Sequence, residues 1–519
     1  MAEFFLEEES SFWQTKEQIS CKGRQGFEDY FQHVTRFRRA VDKLMLFLSG
    51  KSIIKACDVS HPSTPDIIRN KIEEISQDYI RQCLDNNNVL DCLKFSEHQP
   101  YAIRETFAAI VSKRFANHMI TPEQILLLFG SSTQWLDMLI RTVIVKSLHR
   151  DVANKEPVKL PIVLTPAGSF KCGGYFPYAS GGALHYIPTV FSNAYKLTPE
   201  LLAAEIEKIN SDTSKKVVCI LLETPTALGQ NYTVDELADI AAVLSLYPDI
   251  LWIQDWYSLG TEHDDVLPNA LADNLSIAKQ GCTISSFRRD WGGAAAYANV
   301  SVMQSFNDAL IQELSLQCSE TYFYVRPPLQ KLQSFVTHHI VSEMKHSEFQ
   351  KKNQLYFKKQ FNEYEKAVYT TNEWLNTTLG TAGIHYLFTT KVHSGQFGFL
   401  FFNHDTMKKG KINNGTEIAE LMCLYSKCRV MPTLLSPMGI GVDPVGVRLN
   451  ICLSEDGVAN KLQIDDMLER MGALVLAIEQ GSLVHPQFAS LISTLQAGKE
   501  VNLQQLTPVE QELLCIHPI

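Results

Sequence analysis

Val217–Leu222, VVCILL, is the stretch that most restricts what this chain can become. A strand with apolar side chains at every position has no face to show to water. It must be covered on both sides, as strands are in a parallel sheet. The chain changes character directly after it: Glu223-Thr224-Pro225-Thr226 is a turn, and a helix is expected from Val234. That unit recurs. The strand Ile125–Phe129 runs through Gly130-Ser131-Ser132-Thr133-Gln134 into a helix over Trp135–Val145. Further strands are expected at Pro161–Pro166, in the segment from Ile250, and at Thr283–Phe287. Alternation of this kind implies an α/β fold, a mainly parallel sheet sandwiched by helices.

A chain of 519 residues is too long for one core, so a second, smaller domain is expected. A long helical pattern from about Leu329 to Tyr364 leads into it. That part carries the apolar strand Gly398–Phe402 and a strand over Val447–Cys452, which suits an α+β unit. The expected division is an amphipathic helical arm over 1–50, a small domain from 51–95 and 350–480, a large domain over 96–349, and an extension over 481–519. The net charge of −10 gives no electrostatic reason to expect nucleic acid or an anionic membrane as partner. No uncharged apolar run reaches the roughly 18 residues of a membrane span. The start, MAEFFLEEE, lacks the basic region of a signal peptide. Twelve cysteines without a CxxC pair fit reduced thiols in a cytoplasm.

The turn Gly130–Gln134 combines small residues with a helix amino end, where unpaired N–H groups and the helix dipole favour an anion. Ser131, Ser132 and Thr133 are the candidate phosphate contacts. The order of motifs around it resembles the class I/II aminotransferases, pyridoxal-phosphate (PLP) enzymes of fold type I. The matching segments are Ile54–Pro65, Leu93–Glu105, Thr121-Pro122-Glu123-Gln124 before the first strand, Pro161–Phe170, Glu223–Thr233, Ile250–Leu259, Thr283–Val300 and Val447–Cys452. They cover roughly residues 54–480, in the family's order. The resemblance implies a PLP-dependent transferase-like fold with a smaller α+β domain, and a homodimer.

Several residues that do the family's chemistry are replaced. The lysine that bonds PLP falls at Arg289, within Ser286-Phe287-Arg288-Arg289. Guanidinium, with a pKa above about 12, does not become the neutral nucleophile this bond needs. The asparagine beside the ring oxygen falls at Thr224, and the phosphate-binding tyrosine at Phe95. The family aromatic near the ring falls at Gly168, with Phe170 as substitute. The Asp-x-x-Tyr at the strand end can be aligned in two ways. Aligning on Tyr257 puts Gln254 in place of the acid; aligning on Asp255 keeps the acid and puts Ser258 in place of the tyrosine. The first keeps the following residues in step and is preferred. No arginine follows Arg289 to clamp the phosphate, so the anchoring left would fall to Ser286, Arg288 and the Gly130 turn. Losing the phosphate arginine and tyrosine and the ring asparagine removes about 4–9 kcal/mol of binding.

Arg448 matches the family arginine that binds the substrate carboxylate. The expectation is therefore an aminotransferase-like protein with a degenerate site, taking an amino-acid or oxo-acid ligand, with any PLP held weakly and without a covalent bond. Two alternatives stand beside it: an enzyme of altered mechanism in specialised biosynthesis, using PLP, its amine form or no cofactor; and a true aminotransferase with a relocated lysine. For the last, the nearest upstream candidate is Lys279, before the Thr283–Phe287 strand. His339, Glu343 and His346 share a helical face, but a solvated surface explains them better than a metal, and no metal is expected.

Overall fold

The computed structural model describes residues 54, 74–78, 80–81, 101–114, 119–128, 130–167, 169, 176–226, 228–256, 263, 268–271, 273–286, 300–318, 346–394, 396–432, 444–453, 457–488, 491–492 and 494. The chain divides into two compact units, one of residues 60–357 with 393–395, the other of residues 1–59, 358–392 and 396–519. The boundary at 357/358 falls inside one long helix, His346–Leu379 (α6 below).

The larger unit is built on a seven-stranded sheet. Its strands are β1 (Ile125–Leu128), β2 (Leu160–Pro166), β3 (Ala183–Ile187), β4 (Lys215–Glu223), β5 (Leu251–Trp256), β6 (Gly281–Ser286) and β7 (Ser301–Gln304). The spatial order is β1-β7-β6-β5-β4-β2-β3. All neighbours are parallel except β7, which is antiparallel to both β1 and β6, so the other six strands point one way. The run VVCILL lies in β4, where none of its residues is more than 6 % exposed. Burying one such side chain is worth about 1.5–3 kcal/mol, which is why the helices must cover both faces.

They do so as two layers. Helices α2 (Ser132–Asn154) and α5 (Asp308–Gln317) pack Trp135, Leu139, Leu310 and Leu314 against Leu221, Ile253, Cys282 and Ile284. On the other face, α3 (Pro199–Asn210) and α4 (Val234–Leu244) pack Leu202, Ile206, Leu237 and Ile240 against Ile220, Leu222 and Trp252. A further helix, α1 (Tyr101–Arg114), precedes β1. The helix starts follow their sequence signals. Thr233 N donates to Glu236 Oε2 at 2.7 Å while Thr233 Oγ1 accepts from Glu236 N at 3.1 Å, a reciprocal cap. Gly281 has a close-contact role: a Cβ there would lie 2.0 Å from the Trp252 carbonyl oxygen, so β6 can begin against β5 only with glycine.

Two helix lengths differ from the sequence expectation. The helix expected over Trp135–Val145 begins at Ser132 and runs to Asn154, because no glycine or proline interrupts it before Lys155 turns left-handed at φ 59°. The long pattern that ended at Tyr364 continues, as α6 (His346–Leu379), to the left-handed Gly380 at φ 66°.

The smaller unit has a four-stranded antiparallel sheet, ordered β10 (Met431–Pro432), β11 (Gly446–Asn450), β9 (Phe397–Phe402), β8 (Leu387–Phe388). With it go α7 (Gly415–Leu424) and α8 (Gly457–Glu479). Tyr364 Oη donates to the Phe399 carbonyl at 3.1 Å, and Ile54 bridges in parallel to Cys428. The described cysteines, 219, 282, 318, 423, 428 and 452, are buried. Burial pushes the Cys318 thiol up to about 12, which makes it inert at neutral pH.

Candidate functional site

In an open parallel sheet the ligand site is expected outside the carboxyl ends of the strands. Here β1, β4, β5 and β6 end on the same edge, bringing together segments far apart in sequence: the turn into α2, Thr224 after β4, Asp255 in β5 and Ser286 at the end of β6.

At the amino end of α2, Ser131 is the cap. Its Oγ accepts from Thr133 N at 3.2 Å and donates to Thr133 Oγ1 at 3.0 Å, so two of the three candidate hydroxyls bond each other. Ser132 is buried and Ser131 exposed. Above the turn, the Gln134 carboxamide oxygen covers Gly130; a Cβ on that glycine would meet it at 2.0 Å. The local sequence forms an anion-type turn and then occupies much of it with its own side chains.

The two alignments of the β5 end separate on strand alternation. Side chains of successive residues point to opposite faces. Trp252 packs in the α3/α4 layer and Ile253 in the α2/α5 layer, so Gln254 follows the first and Asp255 the second. The hydrogen bonds agree. Gln254 is fully buried; its Oε1 accepts from Ala270 N at 2.8 Å and its Nε2 donates to the Pro268 carbonyl at 3.3 Å. Asp255, 5 % exposed, contributes to raising the Cys282 thiol, which burial already pushes up. Of the two residues weighed for the acid's place, Gln254 is thus committed to the α3/α4 layer, and the acid on the side of α2 is Asp255. The reason is parity, which moves a side chain across the sheet for a shift of one residue.

Thr224 is fully buried; its N–H donates to the Asp255 carbonyl at 2.9 Å, and its Oγ1 has no hydrogen-bond partner. Ser286 is half-buried at the end of β6, opposite Ser301 of β7. Sequence reasoning missed Glu223, which is buried and lies in register beside Asp255 on the neighbouring strand. The signal was there, an acid closing an otherwise apolar run. Two carboxylates side by side suit a cationic neighbour better than a phosphate.

In the smaller unit, Arg448 sits half-buried in the middle of β11, its guanidinium 4.4 Å from the centre of the Phe397 ring. Stacking of this kind holds the plane of the fork that binds carboxylates. Arg288, Arg289, Tyr257, Phe170 and Phe95 lie outside the described residues, as do His339 and Glu343. Among the described residues no group of three or more His, Cys, Asp or Glu side chains is placed to hold a metal, and no helix is long and apolar enough to cross a membrane.

By sequence, no family model and no curated protein matches this chain. By structure it is similar to the aspartate aminotransferase of Rhizobium meliloti, with TM-score 0.62 and 12 % identity over 84 % of this chain and 95 % of that one. It is also similar to an archaeal alanine:glyoxylate aminotransferase, with TM-score 0.61 and 16 % identity over 84 % and 95 %. For an aromatic aminotransferase of Pyrococcus horikoshii the values are 0.59 and 15 %, over 85 % and 99 %. The fold is the fold type I architecture of these aminotransferases. Identities this low carry the architecture alone.

The described residues named above fit covalently held PLP poorly. Lys279, the lysine nearest upstream of β6, lies in the turn Leu275–Gln280 at the strand's amino end. At the carboxyl end, β6 stops at Ser286 and the sequence continues Phe287-Arg288-Arg289. The turn into α2 and Asp255 suit an anionic group and a protonated ring nitrogen, but the amine that would make the bond is missing from this set.

Proposed function

We propose that this protein uses the aminotransferase fold to bind a small carboxylate ligand, an amino acid or oxo acid, and has lost lysine-based transamination. The observation that carries this reading is the placement of Lys279 at the amino end of β6, with two arginines following the other end in sequence. Arg289 stands where the resemblance puts the covalent lysine, and Arg448 where it puts the carboxylate partner. The orientation of Arg448 on Phe397 supports that role. By the same resemblance the protein is a homodimer, and its cysteines suit a cytoplasm.

Incubation with PLP followed by borohydride tests the reading. The expected outcome is no pyridoxyl group fixed to the protein and no chromophore left after dialysis. A borohydride-fixed pyridoxyl group on any lysine overturns it. A chromophore that binds tightly but dialyses away favours the second reading, an enzyme holding PLP or its amine form without a covalent bond. That reading draws support from Asp255 and the amino end of α2 lying on the same edge and in the same layer.

A further inference from the structure

The dipeptide Asn414-Gly415 occurs once in the chain and lies where α7 begins. An asparagine side chain has an electrophilic amide carbon within reach of the next residue's backbone nitrogen, and attack by that nitrogen closes a five-membered ring. With glycine next, no side chain crowds the nitrogen and the backbone turns freely. Asn414 and Gly415 are both half-buried, so water reaches them, and Asn413 beside them is exposed.

The fold holds this dipeptide in check. Asn414 caps α7: its Oδ1 accepts from Thr416 N and from Glu417 N, both at 3.0 Å. Its Nδ2 donates to Glu417 Oε1 at 3.2 Å. The other oxygen, Glu417 Oε2, accepts from Asn413 N at 2.6 Å and from Asn413 Nδ2 at 3.3 Å. The carboxamide is thus fixed at both ends, its oxygen on the helix amides and its nitrogen on a carboxylate. The backbone of the same turn is tied less closely, since Ile418 N meets the Asn414 carbonyl only at 3.4 Å. Ring closure turns the carboxamide away from Thr416 and Glu417, so it requires that turn to open.

We propose that Asn414-Gly415 is a self-modification site, a slow clock held back by the cap of α7. When the turn opens, Gly415 N bonds to Asn414 Cγ and the Cγ–Nδ2 bond breaks. The Gly415 N–H proton passes through water to Nδ2, which leaves as ammonia. Water then opens the imide ring, giving aspartate where the Cγ side is cut and isoaspartate where the backbone carbonyl is cut. One water enters and one ammonia leaves, with nothing oxidised or reduced. Neither product suits the native cap. Aspartate keeps one oxygen on the helix amides but sets the other against Glu417 Oε1, where a donor stood. Isoaspartate adds a carbon to the backbone just ahead of Thr416. Because α7 packs against β10 and β11, modification loosens a helix that supports the strand of Arg448. The proposal does not rest on the ligand reading given above.

Peptide mass analysis of the full chain, aged in mildly alkaline buffer both native and in denaturant, tests it. Trypsin cuts after Lys411 and Lys427, and the peptide 412–427 gains the mass of an amide turned to an acid in both states. The native chain gains it about tenfold more slowly, the ratio set by the cap and its Glu417 bonds. Glu417→Ala frees Nδ2, raises the native rate about threefold or more, and leaves the rate in denaturant unchanged. Gly415→Ala slows both. Equal rates in the two states, no gain in either, or a native rate unmoved by Glu417→Ala overturns the proposal. The comparison of native with denatured wild type decides the matter even if Glu417→Ala does not fold.

Discussion

The two edges of the large sheet are built from the same strands and have gone opposite ways. At the carboxyl edge, several of the described polar side chains bond the protein itself, while the buried Thr224 hydroxyl has no partner. Gln254 holds the Pro268–Ala270 turn, Ser131 caps Thr133, and Gln134 covers Gly130. At the amino edge, charged side chains pair with one another, Lys146 with Glu313 and Arg150 with Asp249. A fold can keep its architecture while the residues at one edge turn to structural duties, because the layers are held by apolar packing that those residues do not supply.

The comparison can be broken most forcefully at the amino edge. Lys216 Nζ donates to the Ser147 carbonyl at 3.1 Å and pairs with the buried Asp151. Burial raises the Asp151 carboxyl, but its bonds from Lys216 and the Lys159 N–H outweigh that and hold it below its ordinary 3.8. Lys216→Met strands a buried carboxylate and should lower unfolding stability by about 3–5 kcal/mol in chemical denaturation. A depressed carboxyl contributes stability above its unfolded pKa and loses it as pH falls through the folded one. The wild type should therefore lose part of its stability below about pH 4, and the variant should lose less over the same window.

Next comes Gln254→Ala at the carboxyl edge. It leaves the Ala270 N–H and the Pro268 carbonyl without their buried partner, and should lower stability by about 2–3 kcal/mol. A structural Gln254 predicts this without any change in PLP affinity; a fall in PLP affinity at unchanged stability would return Gln254 to the site. Smaller again is Ser131→Ala, which removes the α2 cap and should lower stability by about 1 kcal/mol in a thermal melt. The smallest effects sharpen the contrast. Lys279→Gln should change stability by less than about 0.5 kcal/mol, as for an exposed side chain. Arg289→Lys should give no transamination in a coupled assay. Turnover in that variant would show the rest of the carboxyl edge to be sound.

Much of this was legible along the chain. VVCILL required a strand covered on both faces, the Thr233 signal set the start of α4, and the Ser131–Thr133 run marked the amino end of α2. Lys279 could be placed at the wrong end of β6 by counting, since it precedes the strand. The side-chain parity of β5 was not legible, because Ile250–Trp256 is apolar enough on both faces for Gln254 and Asp255 to exchange places without an obvious penalty. Nor was Glu223 beside Asp255, a pairing set by the registers of two strands more than thirty residues apart.

The sequence by itself determined the layers, since a local apolar pattern needs no partner to be read. Only the tertiary structure decided which acid lies on the side of α2, and that Lys146 pairs with Glu313 and Arg150 with Asp249. Those facts depend on register and on helices packed across the sheet, and contacts between distant segments leave no local trace.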